Sequence, residues 1–256
     1  MYKQILFSVL CVAFLSGAQA FAQSNDELLA QGLKYREEHK NKEGFDAFTK
    51  LMKADSTKIL YITNGSYFYS KYGFVITGTE KDKMKYYHTA EYLAKKAIKM
   101  DEKNAEAHYV YCLALGRINE NASSSDKIKS AKLIKKECDR CIELNPKHAG
   151  AYHVLGRWNR TIAGFNGIEK GMINTFYGGV PLGASYDNAI KAFQNAISNE
   201  PNYILHQYEM AVTLHEVKKD DYAIKFLEAA NKITATDEDN LGAKKKVGEL
   251  LKKLKG

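Results

Sequence analysis

Ala94-Lys-Lys-Ala-Ile-Lys-Met-Asp-Glu-Lys-Asn-Ala-Glu-Ala-His-Tyr109 has two later counterparts in register. They are Cys138-Asp-Arg-Cys-Ile-Glu-Leu-Asn-Pro-Lys-His-Ala-Gly-Ala-Tyr-His153 and Phe193-Gln-Asn-Ala-Ile-Ser-Asn-Glu-Pro-Asn-Tyr-Ile-Leu-His-Gln-Tyr208. Each stretch closes one helix, turns at an Asp, Asn or Pro, and opens the next, with Ile98, Ile142 and Ile197 equivalent. Weaker copies, ending at Met52 and Ile233, bracket the three and bring the array to about five units. The equivalent positions Met52, Ile98, Ile142, Ile197 and Ile233 lie 46, 44, 55 and 36 residues apart.

An ideal tetratricopeptide repeat spans about 34 residues, so most of these units carry extended helices or loops. Two antiparallel helices cannot bury their apolar stripes alone, and each pair must stack on the next to build a continuous core. Small residues stand where helices would approach closely: Ala97, Cys141 and Ala196 at one position, Ala107 and Ala151 at another. The reading is an all-α, right-handed tetratricopeptide-like helical-hairpin solenoid over 23–256. An inserted helix or loop at about 166–183 interrupts its third full repeat. A capping helix at about 239–255 places Val247, Leu250, Leu251 and Leu254 on one stripe.

Composition agrees with helices. Only three prolines occur in 256 residues, and Lys, Ala, Leu, Ile and Glu recur throughout. At the start, Lys3 precedes an apolar run from Ile5 to Leu15 and then Ala18-Gln19-Ala20 and Ala20-Phe21-Ala22, the layout of a secretory signal peptide over 1–22. The expectation is an exported protein, periplasmic or secreted after cleavage. The formal charge of +8 suits acidic partners, although lysines such as Lys244, Lys245 and Lys246 equally serve to solvate outer helix faces.

No catalytic or cofactor signature is present: there is no phosphate-binding loop, dinucleotide fingerprint or nucleophile elbow. The histidines lack metal-site spacing, so no metal is expected. Cys138-x-x-Cys141 falls inside a helix without a second cysteine pair, and Cys141 reads as a small core residue rather than a redox group. No nucleic-acid reader motif appears, and none is expected as a partner.

One stretch is more specific. It runs Leu155-Gly-Arg-Trp-Asn-Arg-Thr-Ile-Ala163, then Gly164-Phe-Asn-Gly-Ile-Glu-Lys170, then Phe176-Tyr-Gly-Gly-Val-Pro-Leu-Gly-Ala-Ser-Tyr-Asp-Asn-Ala189. The order resembles the tetratricopeptide domain of the regulator of microtubule dynamics family, with its Leu-Gly-Arg-Trp motif, inserted helix and Phe-Gly-x-Pro-x-Ala-(Ser/Thr)-Tyr motif. The resemblance is strongest from about Tyr92 to Asn231. It implies, in the animal relatives, microtubule association or tethering of mitochondria to endoplasmic reticulum, with phospholipid binding attributed to the repeat domain of one member.

The first helix of each pair lines the concave side of such an array. Register places Tyr67, Lys71, Tyr109, Arg117, His153, Arg157, Arg160, Tyr208 and His215 there. Guanidinium groups bind phosphate or carboxylate in bidentate fashion, and tyrosines add apolar area with a hydroxyl. The expected function is a non-catalytic binding module of the cell envelope taking an anionic ligand, phospholipid first. The alternative is a protein-interaction scaffold for an acidic peptide or a partner helix. The bland reading has the tyrosines packing between units and Arg157 pairing with an acidic neighbour. Ile168, Met172, Phe176 and Tyr177 in the insert read as a lid folding over the groove, as a segment dipping into a membrane surface, or as an extension of the core. Trp158, on the opposite side of its helix from Arg157, is expected to pack against the insert.

Overall fold

The computed structural model describes residues 24–176 and 183–256, so the signal peptide expected at 1–22 and Tyr177 of the expected lid lie outside the described residues. The described residues form twelve helices and no strand. Five antiparallel pairs follow one another: α1 (Asn25–Glu37) with α2 (Asn41–Ala54), α3 (Ile59–Val75) with α4 (Glu80–Met100), α5 (Ala105–Ile118) with α6 (Ser124–Leu144), α7 (Ala149–Ala163) with α9 (Tyr186–Asn199), and α10 (Ile204–Glu216) with α11 (Asp220–Lys232). The inserted α8 (Gly167–Phe176) separates α7 from α9, and α12 (Glu238–Lys255) closes the array. α8 falls within the insert expected at about 166–183, of which residues 177–182 lie outside the described residues, and α12 runs over the segment expected to cap the array.

The recurring sequence at the unit boundaries has a local cause. Asp55, Asp101 and Asn145 end α2, α4 and α6 in an extended conformation. Each side-chain oxygen then accepts from the backbone N–H two residues on: Thr57 at 2.9 Å, Lys103 at 2.9 Å and Lys147 at 3.1 Å. Such an Asx turn reverses the chain without a long loop. The next helix is capped at once, Asn104 accepting from the Ala107 N–H and His148 from the Ala151 N–H. That satisfies a donor the first helical turn would leave orphaned.

All five small residues singled out by register are fully buried. Two large apolar clusters result, with a small third of Ile62, Ala97 and Ala107 between α3, α4 and α5. One large cluster joins α2 through α7 around Phe48, Phe68, Val110, Cys138 and Trp158; the other joins α9 through α12 around Phe193, Met210, Leu227 and Val247. Leu250, Leu251 and Leu254 pack on the second cluster, so the lysine-rich last helix covers its open end. The two clusters abut where α7 packs on α9, and there Gly156 lets Phe193 approach: a Cβ at Gly156 would stand 2.7 Å from the ring.

Trp158 differs from expectation. It packs against α6, where its indole N–H donates to the Ala131 carbonyl at 2.9 Å, because the side of α7 away from Arg157 is covered by the preceding hairpin. In the insert, Ile168 is 79% exposed, which does not make it a core residue; the side chains of Met172 and Phe176 lie outside the described residues. Cys112, Cys138 and Cys141 are free thiols with no exposure, and burial pushes the Cys112 and Cys141 thiols up, away from the reactive thiolate.

Candidate functional site

The first helices of successive pairs curve around a cavity of about 690 Å³. Tyr67, Lys71, Tyr109, Arg117, His153 and Arg157 all line it, together with apolar Leu33, Leu113, Ile134, Val154, Ile162 and Leu205. Arg160, Tyr208 and His215 stand outside the lining. Arg160 turns to the α10 residue Glu209, His215 pairs with Asp220 at 2.7 Å, and Tyr208 faces Lys246 of α12, whose ammonium is 5.9 Å from its ring centre.

The wall is charged, yet its arginines and Lys71 are already matched. At one end Arg36 of α1 reaches in over the Tyr67 ring, 4.2 Å from its centre, donates to Asn64 at 2.8 Å and pairs with Glu106. Glu106 also meets His148 at 3.2 Å. Burial would raise the Glu106 carboxyl, but Arg36 and His148 overcome it and hold it at about 2. At the other end Glu120 bridges Arg117 and Arg157, both at 3.2 Å. Buried Glu209 takes Arg160 and, at 3.8 Å, Arg157. The field of free cations expected from the sequence is therefore a set of ion pairs, since each guanidinium that leaves water must recover its lost hydration from a carboxylate.

The cavity is closed on a further side by the ends of the chain. Lys71 of α3 pairs with Asp239 in the first turn of α12, and Tyr203 donates to the same carboxylate at 2.9 Å. Asn41 at the start of α2 adds a bond to Asp239 at 3.0 Å. His39, in the turn between α1 and α2, stacks on Tyr203 with ring centres 4.9 Å apart. Burial favours the neutral Asp239 carboxyl, yet the Lys71 ammonium, with His39 and the Asn41 amide, holds it at about 2.

Between these ends His153 and His206 meet through their Nδ1 atoms at 2.9 Å, and His206 Nε2 lies 3.1 Å from Glu200. Glu200 accepts from Nε2–H of His206, which leaves His206 Nδ1 to accept the Nδ1–H of His153. Burial drives the His153 imidazole far below its usual range, and the neighbouring His206, Arg157 and Lys71 push the same way. Tyr67, Tyr109 and Tyr203 are held as neutral phenols by burial. The cavity thus presents rings, aliphatic surface and hydrogen-bonding groups with little unbalanced charge.

Reading helix register alone misses Arg36, His39, Tyr203 and Asp239. Arg36 and His39 belong to the first hairpin, whose sequence copy is weak, and Asp239 belongs to the cap. Their contribution depends on the solenoid curving until its two ends meet, which no local spacing encodes.

A family model described as "Regulator of microtubule dynamics protein 1-3" matches residues 23–255. Regulator of microtubule dynamics protein 1 of Bos taurus is 26% identical over 199 residues, covering 77% of this chain and 61% of the relative. The Homo sapiens protein 1 is 29% identical over 127 residues, 50% of this chain and 40% of the relative. Protein 3 of Mus musculus is 26% identical over 167 residues, 64% and 35%. The chain therefore spans less than two thirds of the length of these relatives. Among solved structures, a thermophilic tetratricopeptide-repeat protein of Thermus thermophilus superposes with a TM-score of 0.63 at 12% identity, covering 89% of this chain and 99% of that one. That likeness is one of fold.

Proposed function

The chain belongs to the regulator of microtubule dynamics protein 1-3 family, and from that premise we propose that it is a non-catalytic scaffold whose cavity receives a segment of a partner protein. The observation that carries this reading is the pairing of the cavity wall. Arg36, Lys71, Arg117 and Arg157 each hold a carboxylate, so an entering anion would have to displace an internal one. A polypeptide brings apolar side chains for the Leu113, Val154 and Ile162 surface and amide groups for the tyrosine hydroxyls, with no demand for spare cations. The anionic phospholipid expected from the sequence asks for cations that are free, and it becomes the competing outcome of the test.

Replacing Leu113 with a photo-reactive phenylalanine analogue places a cross-linker on the cavity wall. Irradiation in the source cells followed by mass spectrometry should give peptide adducts at that position. Lipid adducts alone, or lipid retained through native mass spectrometry of the purified chain, would defeat the scaffold reading. The exported location belongs to the same proposal and rests on the residues 1–22 pattern. An intact mass beginning near residue 23 in an envelope fraction supports it, and a cytosolic chain retaining residue 1 overturns it.

A further inference from the structure

The array is held together as two apolar arcs, one reaching from α2 to α7 and the other from α9 to α12. They meet twice. At one meeting the chain is continuous, and α7 packs closely on α9 through Gly156 and Phe193 and on α10 through the His153–His206 contact and the pairs of Arg157 and Arg160 with Glu209. At the other, between α3 and α12, no apolar cluster of the described residues contains side chains from both helices. That second seam is polar. It consists of Asp239 with Lys71, Asn41 and His39, the Lys71 ammonium donating to the Tyr203 hydroxyl at 3.1 Å, the His39–Tyr203 stack, and Lys246 lying 6.0 Å from the Phe74 ring centre.

Three features make the polar seam the weak joint. A buried ion pair recovers in Coulomb attraction little more than it lost in hydration, so it contributes far less than an equal area of apolar packing. Hydrogen bonding at the seam is incomplete, because His39 Nδ1 and Asn41 Oδ1 are buried without a hydrogen-bond partner among the described residues. His39 is also held at a φ of 50°, a left-handed backbone that a non-glycine residue adopts at some cost. Directly behind these residues lies the cavity, whose wall includes His39, Lys71 and Tyr203.

We propose that the chain is a hinged ring, in which the α3/α12 seam is a latch that parts to admit a guest to the cavity while the α7/α9 contact acts as the hinge. Two rigid arcs with a marginal polar contact between their free ends form a two-state element, in which closing encloses the guest and opening releases it. The inference goes beyond the scaffold reading and does not depend on it, since the latch operates in the empty chain whatever the guest is.

The test uses the full chain carrying Cys11→Ser, with Lys50→Cys on α2 and Lys245→Cys on α12, both exposed, and spin labels on the introduced thiols; Cys112, Cys138 and Cys141 are buried. Pulsed electron–electron resonance should give one narrow distance for the closed ring. Adding Asp239→Ala should lengthen and broaden it by about 5 Å, one helical pitch, or more. The double substitution Lys71→Met with Asp239→Leu, which replaces the ion pair by an apolar one, should keep it narrow. An unchanged distribution in a helical Asp239→Ala chain overturns the latch. Should that variant fail to fold, access decides the matter: Val154→Cys on the cavity wall should react with a maleimide several-fold more slowly in the apolar-latched chain than in the native background. Equal rates overturn the proposal.

Discussion

Lys71 of α3 and Asp239 of α12 are 168 residues apart in sequence and form an ion pair in which both side chains are less than one tenth exposed. Removing one partner of a pair that cannot relax leaves a buried charge and costs about 3–5 kcal/mol. Here the seam can part and let water reach the orphaned ammonium. Asp239→Ala is therefore expected to cost only about 1–3 kcal/mol in urea denaturation. The double substitution Lys71→Met with Asp239→Leu should be neutral or stabilising. A loss from Asp239→Ala at the full buried-pair value would mean that the seam does not open.

The same carboxylate sets an acid limit. Asp239 is held at about 2 in the fold and titrates near 3.9 in an unfolded chain. Its folded value is the lower, so its contribution is complete above about pH 4 and is lost as the pH falls toward 2. Over that window it is worth about 2 kcal/mol, and the acid branch of the stability profile should be shallower by that amount in Asp239→Ala. Superimposable acid branches would show that Asp239 titrates alike in both states.

His153 acts at a higher pH. An unfolded imidazole takes its proton near 6.5, while burial, then His206, Arg157 and Lys71, keep the folded ring neutral well below that. Only the unfolded chain gains the proton, so this contribution is intact above about pH 6.5 and declines as the pH drops, by up to about 1.4 kcal/mol per pH unit. His153→Gln still reaches His206 with an amide and cannot take a proton, so it should flatten the stability profile between about pH 6.5 and 5. An identical slope in the variant would place the titration elsewhere.

How far these features could be read from the chain alone follows from what carries them. The hairpins are local: Asp101 with Lys103 and Asn145 with Lys147 make their turns within two residues, so the repeat and its five units were legible. The inner face was legible as far as helix period reaches, and Tyr67, Tyr109 and His153 stand on the cavity as their spacing predicts. Pairing was not. Glu120 follows Arg117 by three residues, yet its bond to Arg157 spans 37, and Glu209 lies 49 residues from Arg160. Curvature, summed over five units, brings those carboxylates inward and joins the two chain ends, and no single window of sequence contains it.

Gly156 of the Leu-Gly-Arg-Trp stretch has a packing explanation. A Cβ there would stand 2.7 Å from the fully buried Phe193 ring. Overpacking of this kind costs about 1–3 kcal/mol, against about 1 kcal/mol that Ala gains over Gly inside a helix. Gly156→Ala should therefore be net destabilising by about 1 kcal/mol in guanidinium denaturation. Combining it with Phe193→Leu should cost less than the sum of the two single changes. A stabilised Gly156→Ala would show that α7 and α9 can separate freely at this point.

Arg160 is the residue whose meaning changed most between sequence and structure. Its spacing puts it on the same helix face as His153 and Arg157, and substitution by Glu would be the natural probe of an anion site. In the fold its guanidinium bonds the Glu209 carboxylate and, at 3.1 Å, the Glu209 carbonyl, with the two side chains 13% and 9% exposed. Burial would raise the Glu209 carboxyl; Arg160 first, then Arg157, keeps it ionised. Arg160→Glu would set a second carboxylate against a buried one and leave only the more distant Arg157, at 3.8 Å, to balance Glu209. The expected loss is about 3 kcal/mol or more, read by thermal or chemical denaturation. Arg157 is 37% exposed and shares Glu120 with Arg117, so Arg157→Glu should cost clearly less. Exchanging charges, Arg160→Glu with Glu209→Arg, should recover part of the loss, because attraction between the two positions is restored even though the geometry is not. If Arg160→Glu proved as stable as the native chain, the Arg160–Glu209 pair would have to be open to solvent rather than buried between α7 and α10.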